Sequence, residues 1–283
     1  MSIQENGRGM PNLPHWSQTS MELMSTCQRA WALTYPFHHD PYKTKTTTKK
    51  KNQPFFIIRL CRQIFMECLE DAYQNKVWTD EFLKARIQRG WRTYQRTRYE
   101  GIREKIIQDS IYRKIRSLIM TRPLRPIFQQ KCARWAYFYR HEAVDFHGGA
   151  LYAAPEIMIQ IGGKWKLIRI SFSRRTSPIQ TSDLMDGLMV HWAMKQPQLP
   201  NHFKSFEIIH LAWSRRGWMT HHVVNNHRTF KDSFLLYHYD MQEVKWLQRR
   251  ILANPDLSQL QLSESERVCR QCEFKNTCPA MKP

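Results

Sequence analysis

The chain has 283 residues, 42% of them hydrophobic and 12% aromatic, and its formal net charge is +20 at pH 7. This length and composition suit a packed globular protein and exclude an intrinsically disordered chain. No stretch of about 18 apolar residues occurs, and the N-terminus lacks the apolar segment of a secretory signal, so we expect neither a membrane span nor export.

The positive charge indicates a partner of opposite charge. A surface this basic attracts polyanions, of which nucleic acid is the most common. Two alternatives remain, since the charge could keep the protein in solution or could face an acidic protein partner. Nucleic acid is favoured because the basic residues are concentrated in particular stretches.

The N-terminal part of the chain is predicted to contain one short helix between two polar segments. Residues 1–15 are predicted to be a flexible leader. Apolar residues at helical spacing predict a helix from Ser17, a suitable N-cap, to about Tyr35, and Pro36 ends the pattern. Residues 40–53 are rich in Lys and Thr without apolar periodicity, which predicts a solvated basic loop.

Residues 54–134 are predicted to form a basic helical insertion. Phe55–Tyr73 carries apolar residues at helical spacing, and a more basic helical stretch follows from Glu81 to Met120. Between Arg86 and Arg134 there are 14 Arg or Lys and only 3 acidic residues, interleaved with Trp and Tyr. Cations for phosphates and flat rings for stacking suit a nucleic-acid groove, although a solvated helical face has the same composition.

Residues 135–252 are predicted to form an α/β core, because the apolar period changes to two near Trp135. Gly162–Gly163 predicts a hairpin turn between two of the strands. The predicted elements are strands at Trp135–Phe146, Ala150–Ile161 and Lys166–Phe172, a helix at Asp183–Lys195, strands at Phe206–Trp213 and Trp218–Val224, and a helix at Phe230–Leu252. With the segments before and after it, this core is predicted to form a single domain over residues 16–283.

Three cysteines lie close together in the C-terminal segment 253–283. Cys269, Cys272 and Cys278 have the spacing C-x2-C-x5-C, which can reach one metal centre but leaves a fourth ligand position. Cys27 is the best candidate for that position, so one centre would join the two termini. Four thiolates suit an iron–sulfur cluster or a structural zinc, and the spacing does not choose between them. The odd total of 7 cysteines favours a reducing cytoplasm over a disulfide framework.

These cysteine elements and the order of strands and helices resemble the iron–sulfur branch of the PD-(D/E)XK nuclease superfamily. That branch includes the RecB-like CRISPR-associated exonucleases and the AddB nuclease domain, and the match lies in Cys27-Gln28-Arg29-Ala30-Trp31 and the C-terminal cysteines. The resemblance implies a restriction-endonuclease-like core, with a mixed central sheet flanked by helices and a 4Fe-4S cluster joining the termini, zinc being the alternative. It also implies protein partners, because such proteins work beside helicases, recombination enzymes or CRISPR adaptation proteins.

The resemblance also identifies where the active site would lie. In the family, a His, an Asp and an Asp/Glu-x-Lys pair hold Mg²⁺ or Mn²⁺ and position the attacking water. The corresponding positions here fall on Met66, Glu156, Arg169 and Ser171. Arginine cannot bind a divalent cation, and serine cannot supply the charge of the lysine, so we predict a degenerate site in which Arg169 pairs with Glu156.

An active nuclease remains the alternative if the carboxylates have migrated. Asp183 or Asp186 would then replace the missing metal ligand, with Lys164 or Lys166 in place of the family's lysine and Mg²⁺ or Mn²⁺ as cofactor. The simpler role of these two aspartates is to begin a helix, as an N-cap and a first-turn charge.

The sequence therefore predicts a catalytically inactive, nucleic-acid-binding subunit of a larger DNA-processing or defence complex, with DNA favoured as the ligand. A structural subunit that binds an acidic protein is the third hypothesis. The candidate nucleic-acid contacts are basic residues from the predicted loop, the helical insertion and the strand ends, namely Lys49, Lys50, Lys51, Arg89, Arg92, Arg96, Arg113, Lys114, Arg174, Arg175, Arg215 and Arg216.

Overall fold

The computed structural model describes residues 13–35, 53–76, 78–94, 102–173, 182–276 and 278. Over these ranges the chain is mixed α/β, as predicted. The elements in chain order are β1 (His15–Ser17), α1 (Gln18–Thr26), α2 (Gln28–Thr34), α3 (Gln53–Tyr73), α4 (Asp80–Tyr94), α5 (Ile102–Ile119), α6 (Arg125–Phe128), β2 (Trp135–Tyr137), β3 (Val144–Phe146), β4 (Gly149–Tyr152), β5 (Ile157–Ile161), β6 (Lys164–Ser171), α7 (Ser182–Met194), a 3₁₀ turn (Phe203–Ser205), β7 (Phe206–Ser214), β8 (Gly217–Val223), α8 (His227–Ala253) and α9 (Glu266–Gln271).

The predicted N-terminal helix is two helices joined at Cys27. Ser17 caps α1 as expected, since its side chain accepts a hydrogen bond from the backbone N–H of Ser20 at 3.2 Å. Cys27 then adopts an extended backbone, and its sulfur accepts from the N–H of Ala30 at 3.4 Å, so it caps α2. The predicted leader is too long, because His15 already lies in β1; residues 1–12 are outside the described ranges.

A five-stranded sheet in the order β2-β5-β6-β7-β8 forms the centre of the fold. Antiparallel pairs join β2 to β5, β5 to β6 and β7 to β8, while β6 and β7 run parallel with Arg169 opposite His210. Helix α7 makes the crossover between the two parallel strands, as such a connection requires. The turn at Gly162–Gly163 has the left-handed backbone that glycine adopts most readily.

Successive side chains along each central strand point to opposite faces of the sheet, and both faces are buried. Met158, Leu167 and Ile208 belong to a core shared with α1, α2, α7 and α8. Ile157, Ile168 and other strand residues between them belong to a second core shared with α3, α4 and α5. The predicted helical insertion is therefore the layer that covers one face of the sheet.

Two strands predicted as continuous are each interrupted. The chain leaves the sheet after Tyr137 and returns at Ile157, and the intervening residues form β3 and β4 of a second sheet in the order β1-β4-β3. Helix α8 holds this small sheet, because Trp16 donates to Asp240 at 2.7 Å and the Tyr237 hydroxyl donates to the carbonyl of Phe146. The apolar pattern of the sequence does not distinguish β3 and β4 from the strands of the central sheet, because both sets of strands are apolar.

None of the helices in the described ranges is long and apolar enough to cross a lipid bilayer.

Candidate anion pocket and four-cysteine centre

One end of the central sheet gathers residues from distant parts of the sequence. Strands β6 and β7 both end there, while β5 and β8 begin there, because they run antiparallel to their neighbours. The same end therefore holds Glu156, which precedes β5, Arg169 near the end of β6, and the β7–β8 turn. In α/β sheets, ligands bind most often at the carboxyl ends of parallel strands.

Glu156 is held by two protein partners. Its Oε1 accepts hydrogen bonds from Nε of Arg140 at 2.8 Å and lies 2.6 Å from Nη2 of the same arginine. Its Oε2 accepts from the backbone N–H of Ile170 at 3.0 Å. The sequence assigned the pairing role to Arg169, but the ion pair at Glu156 is made by Arg140, from the segment that follows β2.

Arg169 takes part in a second buried group of charges. Its Nη1 lies 3.6 Å from Oδ1 of Asp186, and Nε2 of His210 lies 2.7 Å from the same oxygen. Asp186 is 1% exposed, and its Oδ2 has no hydrogen-bond partner among the residues that the structure describes. Asp186 is therefore a buried partner of Arg169 on β6 and His210 on β7, and not the first-turn helix charge that the sequence suggested.

The lysines of the migrated-site alternative lie at the other end of β6. Lys164 and Lys166 pair with Glu207 at 3.3 and 3.7 Å, near the start of β7. Strand β6 runs from Lys164 to Ser171, so both lysines are separated along the strand from Arg169 and the carboxylates beside it. Asp183, the other aspartate of that alternative, is exposed in the first turn of α7.

The remaining family positions carry no ionisable group. Met66, which the resemblance aligned with a histidine, is buried in the core between α3, α4 and α5. Ser171 donates a hydrogen bond to the carbonyl of Ser173 at 3.1 Å. Neither side chain can supply a proton or a strong metal ligand to this end of the sheet.

A pocket of about 590 Å³ opens at this end of the sheet. Its lining comes from β1, α1, the end of α2, the segment after β2, the end of β4 and β6, and consists of His15, Ser17, Gln18, Thr19, Tyr35, Arg140, His141, Tyr152, Ala153, Ala154 and Arg169. Within the part of the chain that the structure describes, this lining contains no acidic side chain. Two guanidinium groups therefore give the pocket a positive lining.

A third arginine adds to the positive charge beside the pocket. Burial first, and then the neighbouring Arg140 guanidinium, lower the pKa of Arg62, while Glu156 opposes the shift. Nε of Arg62 is buried and has no hydrogen-bond partner within the described ranges. The guanidinium of Arg62 thus interacts electrostatically with both Arg140 and Glu156.

The four predicted cysteine ligands line one small cavity. Cys27, Cys269, Cys272 and Cys278 border a space of about 20 Å³ together with Leu262, Ser263 and Lys275. Backbone N–H groups already address two of the sulfurs, since Ala30 donates to Cys27 and Phe274 donates to Cys272, both at 3.4 Å. Burial, and then the neighbouring thiols of Cys27, Cys278 and Cys272, raise the pKa of Cys269.

The chemistry of this donor set fits a metal centre. All four thiols are free, and within the described ranges no three or more Cys, His, Asp or Glu side chains converge as the ligands of a single ion. The four sulfurs nevertheless border one shared cavity. Metal binding would displace the thiol protons, and N–H groups aimed at sulfur stabilise the resulting thiolates.

The terminal segments are also joined by polar contacts beside the cysteines. Arg29 donates to the carbonyls of Leu257 and Asp256 at 2.8 and 3.3 Å. The side-chain oxygen of Gln28 accepts from the N–H of Gln261 at 3.2 Å. Helix α2 is therefore attached to the C-terminal segment independently of any metal.

A basic surface lies at the same end of the sheet as the pocket. Trp218 donates to the carbonyl of Lys114 at 2.8 Å, and the Lys114 ammonium lies 4.9 Å from the centre of the Trp213 ring. These contacts bring Arg113 and Lys114 of α5 next to the β7–β8 turn. We call Arg113, Lys114, Arg215 and Arg216 the α5–turn surface.

The other predicted nucleic-acid contacts lie partly on α4 and partly outside the described residues. Arg89 and Arg92 are exposed on α4, and Arg89 pairs with Glu67 at 3.2 Å. Lys114 is half-buried and makes internal contacts, so part of its role is structural. Six of the predicted contacts lie outside the described residues, namely Lys49, Lys50, Lys51, Arg96, Arg174 and Arg175.

Sequence reasoning missed the residues that build the pocket. Arg140 and His141 follow a strand as a polar pair after the run Trp-Ala-Tyr-Phe-Tyr, and this abrupt change was the available signal. Tyr35 and Tyr152 gave no signal, because tyrosines at the ends of apolar segments are common in any core.

Comparisons with known proteins add little. No family model and no curated protein matches the chain. Among solved structures, one titled "Crystal structure of SSO0001" aligns with 81% of this chain and 97% of its own, with 12% sequence identity and a TM-score of 0.29. A TM-score this low supports no conclusion about fold or function.

Proposed function

We propose that this chain is a catalytically inactive, nuclease-derived protein that binds nucleic acid, with DNA favoured, as a subunit of a larger complex. The observation that carries the proposal is the arginine–carboxylate pairing at the end of the sheet where the resembling nucleases hold their metal ions. A basic surface lies beside that pairing.

The order of the elements supports a restriction-endonuclease-like core. Three antiparallel strands, β2, β5 and β6, are followed by a crossover helix and a fourth strand parallel to β6. In this proposal Glu156 and Arg169, which lie before β5 and on the neighbouring strand β6, correspond to the metal-binding carboxylates of the resembling family.

The charges at those positions disfavour metal-dependent cleavage. A magnesium site needs carboxylate oxygens that are free to bind the ion. Both Glu156 oxygens accept hydrogen bonds from Arg140 or Ile170, and Oδ1 of Asp186 faces Arg169 and His210. Of these two carboxylates, only Oδ2 of Asp186 is without a partner among the described residues. A divalent cation would have to displace a guanidinium and would then meet the repulsion of the arginines that remain.

The same charges favour phosphate binding. Arginine carries five N–H donors in a planar fork that matches phosphate oxygens. The α5–turn surface adds four cations close to the tryptophans of β7 and β8, so a strand could contact both regions at one end of the sheet. The four cysteines would hold a 4Fe-4S cluster, or a zinc ion, as a structural staple of the terminal segments.

Binding and cleavage of short DNA separate this function from its alternatives. We expect fluorescence anisotropy to show binding of single- or double-stranded DNA in EDTA, with an affinity that falls steeply as salt rises because phosphate contacts release counterions. We also expect no cutting with Mg²⁺ or Mn²⁺. Cleavage that Glu156→Gln abolishes would establish an active nuclease, and the absence of salt-dependent DNA binding would favour an acidic protein partner.

A further inference from the structure

We propose that the pocket at the end of the sheet binds a nucleoside phosphate, with the phosphate on Arg140 and Arg169 and the base against His15, Tyr35 and Tyr152. The ligand is either a free nucleotide or the phosphorylated terminal nucleotide of a strand, and the second case rests on the proposed function.

The size of the pocket suits a ligand of this class. Its volume of about 590 Å³ lies within the range of roughly 300–1,000 Å³ that is common for small-molecule sites. It is also much larger than an inorganic phosphate requires, so the arginines account for only part of the space.

The two arginines of the pocket are preorganised. Glu156 contacts only Nε and Nη2 of Arg140, so this guanidinium keeps further N–H donors. Asp186 lies 3.6 Å from Nη1 of Arg169. Buried carboxylates thus fix both forks in place, and a bound anion would gain charge-assisted hydrogen bonds without ordering flexible side chains.

Helix α1 adds neutral donors to the pocket lining. Gln18 and Thr19 are its first residues and line the pocket, whereas the N–H of Ser20 is already bonded to Ser17. The first N–H groups of a helix have no intrahelical acceptor, and the positive end of the helix dipole favours an anion. This feature supplements the arginines and would not define a site by itself.

The pocket lining also includes three aromatic rings, those of His15, Tyr35 and Tyr152. The ring of His15 lies 4.7 Å from that of Tyr35 and 5.9 Å from that of Tyr152, measured between centroids. Burial lowers the pKa of His15, so its imidazole is neutral at pH 7. Neutral aromatic rings bind the face of a nucleobase by stacking, which a simple oxyanion could not use.

Calorimetric titration of the full-length protein tests the proposal with three probes: AMP, adenosine and inorganic phosphate. We expect AMP to bind at least about tenfold more tightly than adenosine or phosphate, because only AMP engages both the arginines and the aromatic rings. Equal affinity for AMP and adenosine would show that the arginines do not contribute to binding. Equal affinity for AMP and phosphate would show that the aromatic rings do not contribute.

Two variants connect the binding to the pocket. Arg140→Gln combined with Glu156→Gln removes the guanidinium without leaving a buried charge, and Tyr152→Ala removes one of the aromatic rings while keeping both ion pairs. Each is expected to weaken AMP binding at least about tenfold. Arg249→Gln, an exposed change on α8, is the control for loss of one positive charge. If the double variant fails to fold, Tyr152→Ala alone tests the proposal. An unchanged affinity of Tyr152→Ala for AMP would then overturn it.

Oligonucleotides that differ only in a terminal phosphate distinguish the two sources of ligand. A preference for 5′- or 3′-phosphorylated DNA over the hydroxyl form, competed by AMP, identifies a strand end. AMP binding without such a preference identifies a free nucleotide. If the pocket variants still bind hydroxyl-ended DNA in a salt-dependent way, the proposed function stands even if the pocket proposal fails. If the protein binds AMP but no DNA, the pocket proposal stands and the proposed function fails.

Discussion

Arg140 and Glu156 form a pair whose two members differ greatly in exposure. The side chain of Glu156 is 4% exposed and that of Arg140 is 51% exposed, with Nη2 and Oε1 2.6 Å apart. The carboxylate therefore depends on its partner for charge compensation, whereas the guanidinium can also reach water. The two residues are 16 positions apart, and strands β3 and β4 of the small sheet lie between them in the chain.

This asymmetry predicts that a second mutation repairs the first. Arg140→Gln removes the cation that is hydrogen-bonded to the buried Glu156 carboxylate and is expected to lower the free energy of unfolding by about 3 kcal/mol. Adding Glu156→Gln removes that charge and keeps an amide that can accept from Ile170, so the double variant should be more stable than Arg140→Gln alone. Urea denaturation of both proteins measures the difference, and a double variant less stable than the single one would contradict the pairing.

The α5–turn surface predicts a change in the salt dependence of DNA binding. Replacing Arg215 and Arg216 by Gln should weaken binding and reduce the slope of log affinity against log salt by up to about 2, because each lost phosphate contact removes roughly 0.9 from that slope for duplex DNA. Anisotropy titrations at several salt concentrations give the slope.

A matched pair of changes on α8 controls for net charge. Lys245→Gln with Arg249→Gln removes the same two charges from an exposed helix face that takes no part in the α5–turn surface. We expect this variant to keep the slope of the wild type. Equal losses in both double variants would mean that the overall charge, and not this surface, determines binding.

The position of Cys27 predicts that one thiol supports both the metal centre and the pocket. Cys27 joins α1 and α2, whose far ends supply Ser17, Gln18, Thr19 and Tyr35 to the pocket lining. Cys27→Ser is therefore expected to lower metal content and to reduce the melting temperature by about 5 °C or more. Elemental analysis of protein purified without oxygen, together with calorimetry, measures both effects and distinguishes iron from zinc.

Cys132→Ser is the control for that experiment. The thiol of Cys132 donates to the carbonyl of Arg134 at 3.5 Å and lies outside the four-cysteine cavity. Its replacement should leave metal content unchanged. If Cys132→Ser and Cys27→Ser lowered metal content alike, the centre would not be the one that the shared cavity indicates.

The sequence predicted the elements better than it predicted the site, for a physical reason. Apolar periodicity is local, so it identified α3, α7 and α8 with small errors at their ends, and Ser17 was recognised as a cap from its neighbours. The partner of Glu156 depends on the path of the chain through β3 and β4. Periodicity does not describe that path, so the nearest arginine on the adjacent strand was chosen.

The same limit explains the missed break at Cys27 and the missed pocket. A helix that stops and restarts keeps nearly the same apolar pattern, so the sequence showed one helix where the structure has two. His15, Tyr35 and Tyr152 meet only because β1 pairs with β4, with His15 opposite Ala150. That parallel pairing joins segments more than a hundred residues apart, and no local signal encodes it.

His191 predicts a loss of stability in mild acid. It is buried, its ring is stacked on Phe230 with centroids 3.9 Å apart, and Nε2 lies 3.0 Å from the Phe230 carbonyl oxygen. Burial lowers the pKa of His191 from 6.5 to about 4. The unfolded chain therefore takes up a proton at higher pH than the folded protein does, so stability is retained above pH 6.5 and falls as the pH drops from 6.5 towards 4.

The size of this effect can be isolated by substitution. Between pH 7 and pH 5, His191 alone should lower the free energy of unfolding by about 2 kcal/mol. His191→Gln keeps a donor for the Phe230 carbonyl but cannot titrate. Between pH 7 and pH 5, the free energy of unfolding in urea should therefore change by about 2 kcal/mol less in this variant than in the wild type. His222→Gln, an exposed change on β8, should leave the pH dependence of the wild type intact. An unaltered pH dependence in His191→Gln would show that the buried imidazole does not govern acid stability.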